Sequence, residues 1–244
     1  MSYSQIYHED SVFEKKSRVK KAKKIIKIIS KEIKNLNKST VLDIGCSTGL
    51  ITCSLSLSFK KVIGVDPDKN AILLAQKLKR KNVEFKILQT KSYPFKSSSF
   101  DVIIVNQVYE HVKNPKHLME EINRLLKPGG ICFFGALNRL RLYDPHYPTL
   151  PFISLLPIFI ANFYVKLFNQ GLFYEPRPKT ILGIKNLIKN FYVTDYTLKI
   201  IKNPKKFDAE DVINPKSFLT KMPIPILSLF YCLIPNYIFI LKKY

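Results

Sequence analysis

Val41-Leu-Asp-Ile-Gly-Cys-Ser-Thr-Gly-Leu-Ile-Thr52 decides the reading of this chain. An apolar, β-branched run carries an acid near its end at Asp43, turns through Gly45 and Gly49, and opens into residues that suit a helix. The next apolar run ends in a second acid, Asp66, 21 residues after Gly45. A strand, a glycine turn, a helix and an acid at the tip of the following strand are the layout of a pocket for an adenosine-type cofactor. A dinucleotide fingerprint in register with Gly45 would need glycines where Ser47 and Leu50 stand, so nicotinamide binding loses most of its support.

Working outward, residues 14–36 place Val19, Ala22, Ile25, Ile26, Ile29, Ile33 and Leu36 at helical spacings, with a lysine-rich face read as solvated. Alternation then follows: strand 41–44, helix 48–57, strand 62–65, helix 68–80 capped by Asp68, strand 83–88, strand 100–106, helix 115–126, a Lys127-Pro-Gly-Gly130 turn and strand 131–137. This rhythm predicts an α/β fold: a doubly wound, mostly parallel seven-stranded sheet with helices on both faces and an antiparallel last strand at 237–241. A helix at 180–190 and a strand at 191–201 precede that last strand. The expected organisation is an N-terminal helical segment, 1–37, and a main domain, 38–244. Proline-rich, apolar cap insertions interrupt that domain at about 138–178 and 203–234.

The acid-x-Gly-x-x-x-Gly pattern at Asp43, Gly45 and Gly49 resembles motif I of the class I S-adenosylmethionine-dependent methyltransferases. Val62-Ile-Gly-Val-Asp-Pro67, Phe100 to Val112 with its Glu110-His111 pair, and Leu125-Leu-Lys-Pro-Gly-Gly130 resemble later motifs of the same family in the same order. The likeness covers residues 38–137 firmly and the C-terminal strands loosely. It implies S-adenosylmethionine as cofactor, held by Asp43, Gly45, Cys46, Ser47 and Gly49 around the methionine moiety, by Asp66 at the ribose, and by the backbone at Pro67 beside the adenine. Gln89, Thr90 and Asn106 complete the expected contacts. Many relatives carry an acid at the position of Gln89 and a glycine at that of Ser47, and both departures are ones the pocket should accommodate.

Methyl transfer to a hydroxyl or amine gains from a base, and three residues offer one: Glu110 and His111 just past the fourth strand, and His146 in Tyr143-Asp-Pro-His-Tyr147. Asp144 is placed to orient His146 or to cap a turn; His117 is expected to be solvated. The acceptor must be argued from the insertions. Phe152 to Phe163 and Ile226 to Tyr231 are apolar enough to form a hydrophobic lid if they pack together, which suits an O or N acceptor, less readily C, on a hydrophobic or lipid-linked small molecule or glycan.

The formal charge of +22 invites an anionic partner, yet only six of the 40 basic residues are arginine, a bias that an AT-rich genome also produces. Peripheral contact with an anionic membrane is one reading. An RNA methyltransferase is the alternative, disfavoured because no RNA-binding module is recognisable; a catalytically silent binding protein of this fold is a second. Cys46, Cys53, Cys132 and Cys232 form no CxxC pair and no histidine stands at zinc-ligand spacing from them, so no metal site is expected. The first ten residues have acids where a signal peptide needs a basic flank, which points to the cytoplasm or the inner membrane face. Met222 to Leu241 is uncharged and 20 residues long, but Pro223, Pro225 and Pro235 argue against a span.

Overall fold

The computed structural model describes residues 11–78, 80–88, 92–144 and 146–244. Helix α1 (Ser11–Ile29) leads into β1 (Thr40–Ile44), α2 (Leu50–Leu55), β2 (Lys61–Asp66), α3 (Lys69–Gln76), β3 (Val83–Ile87), β4 (Phe100–Asn106), α4 (Pro115–Leu125) and β5 (Leu126–Leu137). The first insertion holds a hairpin, β6 (Tyr143–Asp144) and β7 (Tyr147–Pro151), and α5 (Ile158–Leu167). Then come α6 (Ile181–Leu187), β8 (Tyr192–Asp195), α7 (Thr197–Lys202), the short α8 (Phe218–Lys221) and α9 (Ile224–Leu229), and β9 (Asn236–Lys242).

Seven strands form one sheet in the order β3-β2-β1-β4-β5-β9-β8, parallel from β3 to β5, with β9 antiparallel to both of its neighbours. The expected fold class is thus the observed one. The strand order reverses between β1 and β4, which puts a crevice at the carboxyl ends of those two strands. Because β1 and β4 are central, both of their faces are covered, and this is why their sequences are nearly unbroken apolar runs. One face packs on α4 and α6 through Phe134, Ile122 and Ile184. The other packs on α1, where Ile25, Ile28 and Ile29 meet Val41, Val102 and Phe133.

Local chemistry sets the element ends. Asp68 caps α3 by accepting from the backbone N–H groups of Asn70 and Ala71, and Asn114 caps α4 by accepting from that of His117. Several expectations need correction. The first helix stops at Ile29, and Ile33 and Leu36 pack on the sheet from a turn instead. Its lysine face is not wholly solvated, since Lys24 is buried and paired with Asp211 at 3.2 Å. The helix expected at 48–57 forms only over Leu50–Leu55.

The strand expected at 191–201 ends at Asp195. That carboxylate accepts from the N–H of Thr197 and starts α7, which turns Ile200 and Ile201 into the core. The first insertion is not devoid of strands; it contains the β6–β7 pair. The two insertions do not bury one another to form a lid. The first closes its own small core from Leu150, Ile153, Ala161, Val165 and Tyr174, which leaves Ile226, Leu229 and Phe230 of the second exposed. Among the described residues no helix is long and apolar enough to cross a membrane, and residues 222–241 divide between α9 and β9.

Candidate active site

The loop after β1 is built from left-handed backbone. Gly45, Ser47 and Gly49 have φ of 74°, 49° and 77°. This conformation favours glycine, so Ser47 holds it at a cost of about 1–2 kcal/mol. A Cβ on Gly45 would stand 2.5 Å from Val108, and one on Gly49 would stand 2.6 Å from the Phe85 ring. The glycines therefore serve packing of the loop as well as approach to a ligand. Contact between Gly45 and Val108 also brings the loop after β4 directly against the loop after β1.

Two acids mark this crevice. Asp66, at the tip of β2, accepts from the N–H of Ser47 at 2.8 Å and of Asp68 at 2.9 Å, one through each carboxylate oxygen, so its orientation is fixed while both oxygens keep acceptor capacity. Burial raises its pKa. Asp43 is buried and accepts from the Thr52 hydroxyl at 2.6 Å; desolvation pushes its carboxyl up to about 7, against that hydrogen bond. A buried acid held so far from its ordinary value is suited to a cationic partner. The donor set fits S-adenosylmethionine: Asp43 for the methionine ammonium, Asp66 for a ribose diol, and a loop without lysine or arginine, as a ligand without phosphate requires.

Of the other expected cofactor contacts, Cys46 is buried beside Gly64 and its thiol is pushed up by burial. Pro67 is exposed after the β2 tip. Asn106 ends β4 opposite Gly135, where its carboxamide leaves no room for a Cβ. Gln89 and Thr90 lie outside the described residues, as does His8; Leu88, just before them, packs on the core.

The second half of the site joins the loop after β4 to the first insertion. Tyr109 pins the two together: its hydroxyl donates to the carbonyl of Leu137 at 2.7 Å and accepts from the N–H of Lys179 at 2.9 Å. The N–H of Arg177 donates to the carbonyl of Glu110 at 2.7 Å. Both ends of the insertion are thus laced to the segment that carries Glu110 and His111.

The three base candidates come together here, with two partners that the sequence did not single out. The His111 and His146 rings meet edge to face with centroids 4.8 Å apart. His146 Nδ1 lies 2.8 Å from Asp144 Oδ1, and the other oxygen of Asp144 accepts from Arg141 and, at 2.7 Å, from Tyr174. Asp144 both orients His146 and caps the turn, since its Oδ1 also accepts from the His146 backbone N–H at 3.0 Å. Burial alone would raise Asp144, but the bonds from His146, Arg141 and Tyr174 outweigh it and hold the carboxyl well below the usual range. His117, by contrast, lies 3.4 Å from Glu120 on α4, remote in role from this cluster.

The candidates differ in state. Burial, reinforced by the neighbouring His146, pushes His111 down to about 4, so its ring is neutral at physiological pH. Glu110 is 1 % exposed, neither carboxyl oxygen has a hydrogen-bond partner, and desolvation pushes it up to about 8. A neutral carboxylic acid is a poor proton acceptor. His146 differs from both: Asp144 accepting from Nδ1–H selects the tautomer whose Nε2 is the basic nitrogen.

Comparison with known proteins bears on the fold and on residues 42–134. Residues 42–134 match the family model described as a methyltransferase domain. A ubiquinone biosynthesis O-methyltransferase of Dictyostelium discoideum is 36% identical over 114 residues, which cover 41% of this chain and 35% of that one. A solved S-adenosylmethionine-dependent methyltransferase of Methanosarcina mazei superposes with a TM-score of 0.54 at 18% identity, over 88% of this chain and 96% of its own. The [4+2]-cyclase SpnF superposes equally well, with a TM-score of 0.55 at 15% identity over 91% of this chain and 80% of that one. Residues 42–134 therefore match a methyltransferase domain, on the fold of solved S-adenosylmethionine-dependent methyltransferases. The chain spans between about a third and a half of the length of the curated relatives it matches.

Proposed function

We propose that this protein methylates a hydroxyl oxygen of a hydrophobic or lipid-linked acceptor, with His146 as the base that takes the hydroxyl proton. The observation that carries the reading is the His146–Asp144 pair, locked by Arg141 and Tyr174 and held against His111 on the loop after β4. Names among the relatives support an oxygen acceptor, because several of them are O-methyltransferases of ubiquinone biosynthesis. The fold by itself does not decide the reaction, since the same architecture serves a cyclase.

S-adenosylmethionine supplies a methyl group on a sulfonium, which departs as a neutral sulfide. The residues of this chain do the rest. Asp43 and Asp66 would hold the cofactor, and the cap would bring the acceptor hydroxyl to it. Nε2 of His146 would take the hydroxyl proton as the oxygen is methylated, and Asp144 would stabilise the imidazolium. Positioning supplies much of the acceleration, and the base adds about 10²–10⁴-fold.

Transfer of labelled methyl groups into lipid, glycan and RNA fractions of a cell extract tests the acceptor class; label confined to RNA would overturn the reading in favour of the basic surface. His146→Ala should lower transfer by about 10²–10⁴-fold with cofactor affinity unchanged by calorimetry. A wild-type protein that binds no S-adenosylmethionine at millimolar ligand would be a silent member of the fold.

A further inference from the structure

The two insertions expose large apolar side chains in an ordered way. Helix α5 buries its small face, Ala161 and Val165, and turns outward a stripe at i, i+4 and i+8: Phe159, Phe163 and Leu167, which are 70%, 64% and 62% exposed. A helix serving only a protein core would do the reverse. The end of α9 repeats the pattern, with Leu229 76% and Phe230 55% exposed. Both insertions are anchored at the carboxyl end of the sheet, because the first leaves β5 at Asn138 and the second enters β9 opposite it. The carboxamide of Asn138 donates to the carbonyls of Cys232 and Ile234 and ties the two roots together.

The sequence around these faces is poor in acids and rich in lysine. Between Asp144 and Glu175 the only lysine, arginine or acid is Lys166, and no acid occurs after Asp211. Beside α9 lies a hollow of about 390 Å³ lined by Phe207 and Ile224, with three lysines, Lys199, Lys202 and Lys206, against one acid, Asp195. Lys202 is committed to the carbonyls of Thr220 and Met222, Lys199 lies over the Tyr196 ring at 4.6 Å, and Lys206 lines the hollow beside them. An apolar stripe rimmed by lysines, on a chain of net charge +22, repels a second copy of itself and matches a surface that is apolar within and anionic at its rim.

We infer that the α5 and α9 faces form a monotopic docking surface for an anionic phospholipid membrane. Phe159, Phe163, Leu229 and Phe230 enter the acyl boundary, and Lys166, Lys199 and Lys206 meet the headgroup phosphates. This goes beyond the methyl-transfer reading by saying where a lipid-linked acceptor is met, and it is testable without any turnover.

The experiment is flotation of the full chain with vesicles of phosphatidylcholine alone or mixed with phosphatidylglycerol, in low and high salt, without cofactor. The protein should float with the anionic vesicles in low salt and stay behind with the neutral ones. Phe159→Ser with Phe163→Ser should weaken that binding by about ten-fold or more, because two aromatic anchors are lost. Both positions are exposed, so the circular dichroism spectrum and melting temperature should remain those of the wild type. Three results would each overturn the inference: wild-type protein that stays behind with anionic vesicles in low salt, a double variant that floats like the wild type, or a wild-type dimer in sedimentation that the double variant dissolves.

Discussion

Replacing Glu110 by Gln should make the protein more stable, by an amount that grows with pH. The carboxyl is buried, bonds to nothing, and has its pKa pushed from 4.5 up to about 8 by desolvation. Between those values the folded chain keeps a proton that the unfolded chain releases, so the wild type loses stability as pH rises through this window, and the contribution is fully present only below 4.5. Linkage across the window gives a loss of about 3 kcal/mol at pH 7 and about 5 kcal/mol above pH 9, on 1.36 kcal/mol per pH unit. Gln has the shape of the protonated acid and cannot ionise, so it escapes that loss. Asp43, raised in the same direction, is common to both proteins and cancels in the difference. For a chain of this size, about 3 kcal/mol corresponds to a melting temperature about 6–12 °C higher at pH 7, with a gap near zero at pH 4. Thermal or urea unfolding of both proteins at pH 4, 7 and 9 measures it. Parallel pH profiles, or a wild type more stable than the variant at pH 9, would refute the reasoning, because either would mean that Glu110 ionises in place with Arg141 as its counter-ion.

Gly49→Ala forces a side chain into a left-handed residue and sets its Cβ 2.6 Å from the Phe85 ring and 2.8 Å from Ala75, so a loss of about 2–4 kcal/mol and of measurable cofactor binding is expected in unfolding and calorimetric titrations. Asp66→Asn keeps one acceptor oxygen for the two N–H groups of Ser47 and Asp68, and cofactor affinity should fall by about ten-fold or more while the fold persists by circular dichroism. Tyr174→Phe removes a donor from the buried Asp144 carboxylate; about 1.5–3 kcal/mol of stability and part of the rate should go, with cofactor affinity unchanged.

Much of the fold, and the meeting of Asp43, Gly45, Gly49 and Asp66 at one crevice, could be read from sequence because they depend on short-range chemistry. Periodicity, the Asp68 cap and the spacing of Asp43, Gly45, Gly49 and Asp66 all lie within one βαβ unit. The misread elements are those where the local pattern is ambiguous. Tyr192 to Lys202 is an apolar stretch that suits a strand or a helix, and only the Asp195–Thr197 bond divides it. The β6–β7 hairpin was hidden because Pro148 and Pro151 read as breakers, although a two-stranded ribbon has free edges where proline costs no ladder bond. Arg141 and Tyr174 were missed for a different reason: Tyr174 lies 30 residues from Asp144, and no spacing rule brings it there. An acid inside an otherwise apolar insertion was the one available signal that such partners must exist, since a buried carboxylate without them would not remain ionised.

The division of labour in the molecule follows from where its two polar clusters take their support. Asp43 and Asp66 are positioned by backbone and by Thr52, all from the β1–α2–β2 unit and the start of α3, so their placement needs nothing from the cap. The His146 cluster is positioned by Arg141, Asp144 and Tyr174, all from the first insertion, and Tyr174 belongs at once to that cluster and to the insertion's own small core. Loosening that core should therefore displace His146 before it disturbs Asp43 and Asp66. It also means that the insertion can change its outward residues without touching the donor site, provided Leu150, Ile153, Ala161 and Val165 still close around Tyr174. A cap with its own core is free to leave Phe159 and Phe163 in the open, because the fold does not need them inside. Their exposure is a property that the sheet neither requires nor explains, and it is the observation on which the proposed membrane-docking face rests.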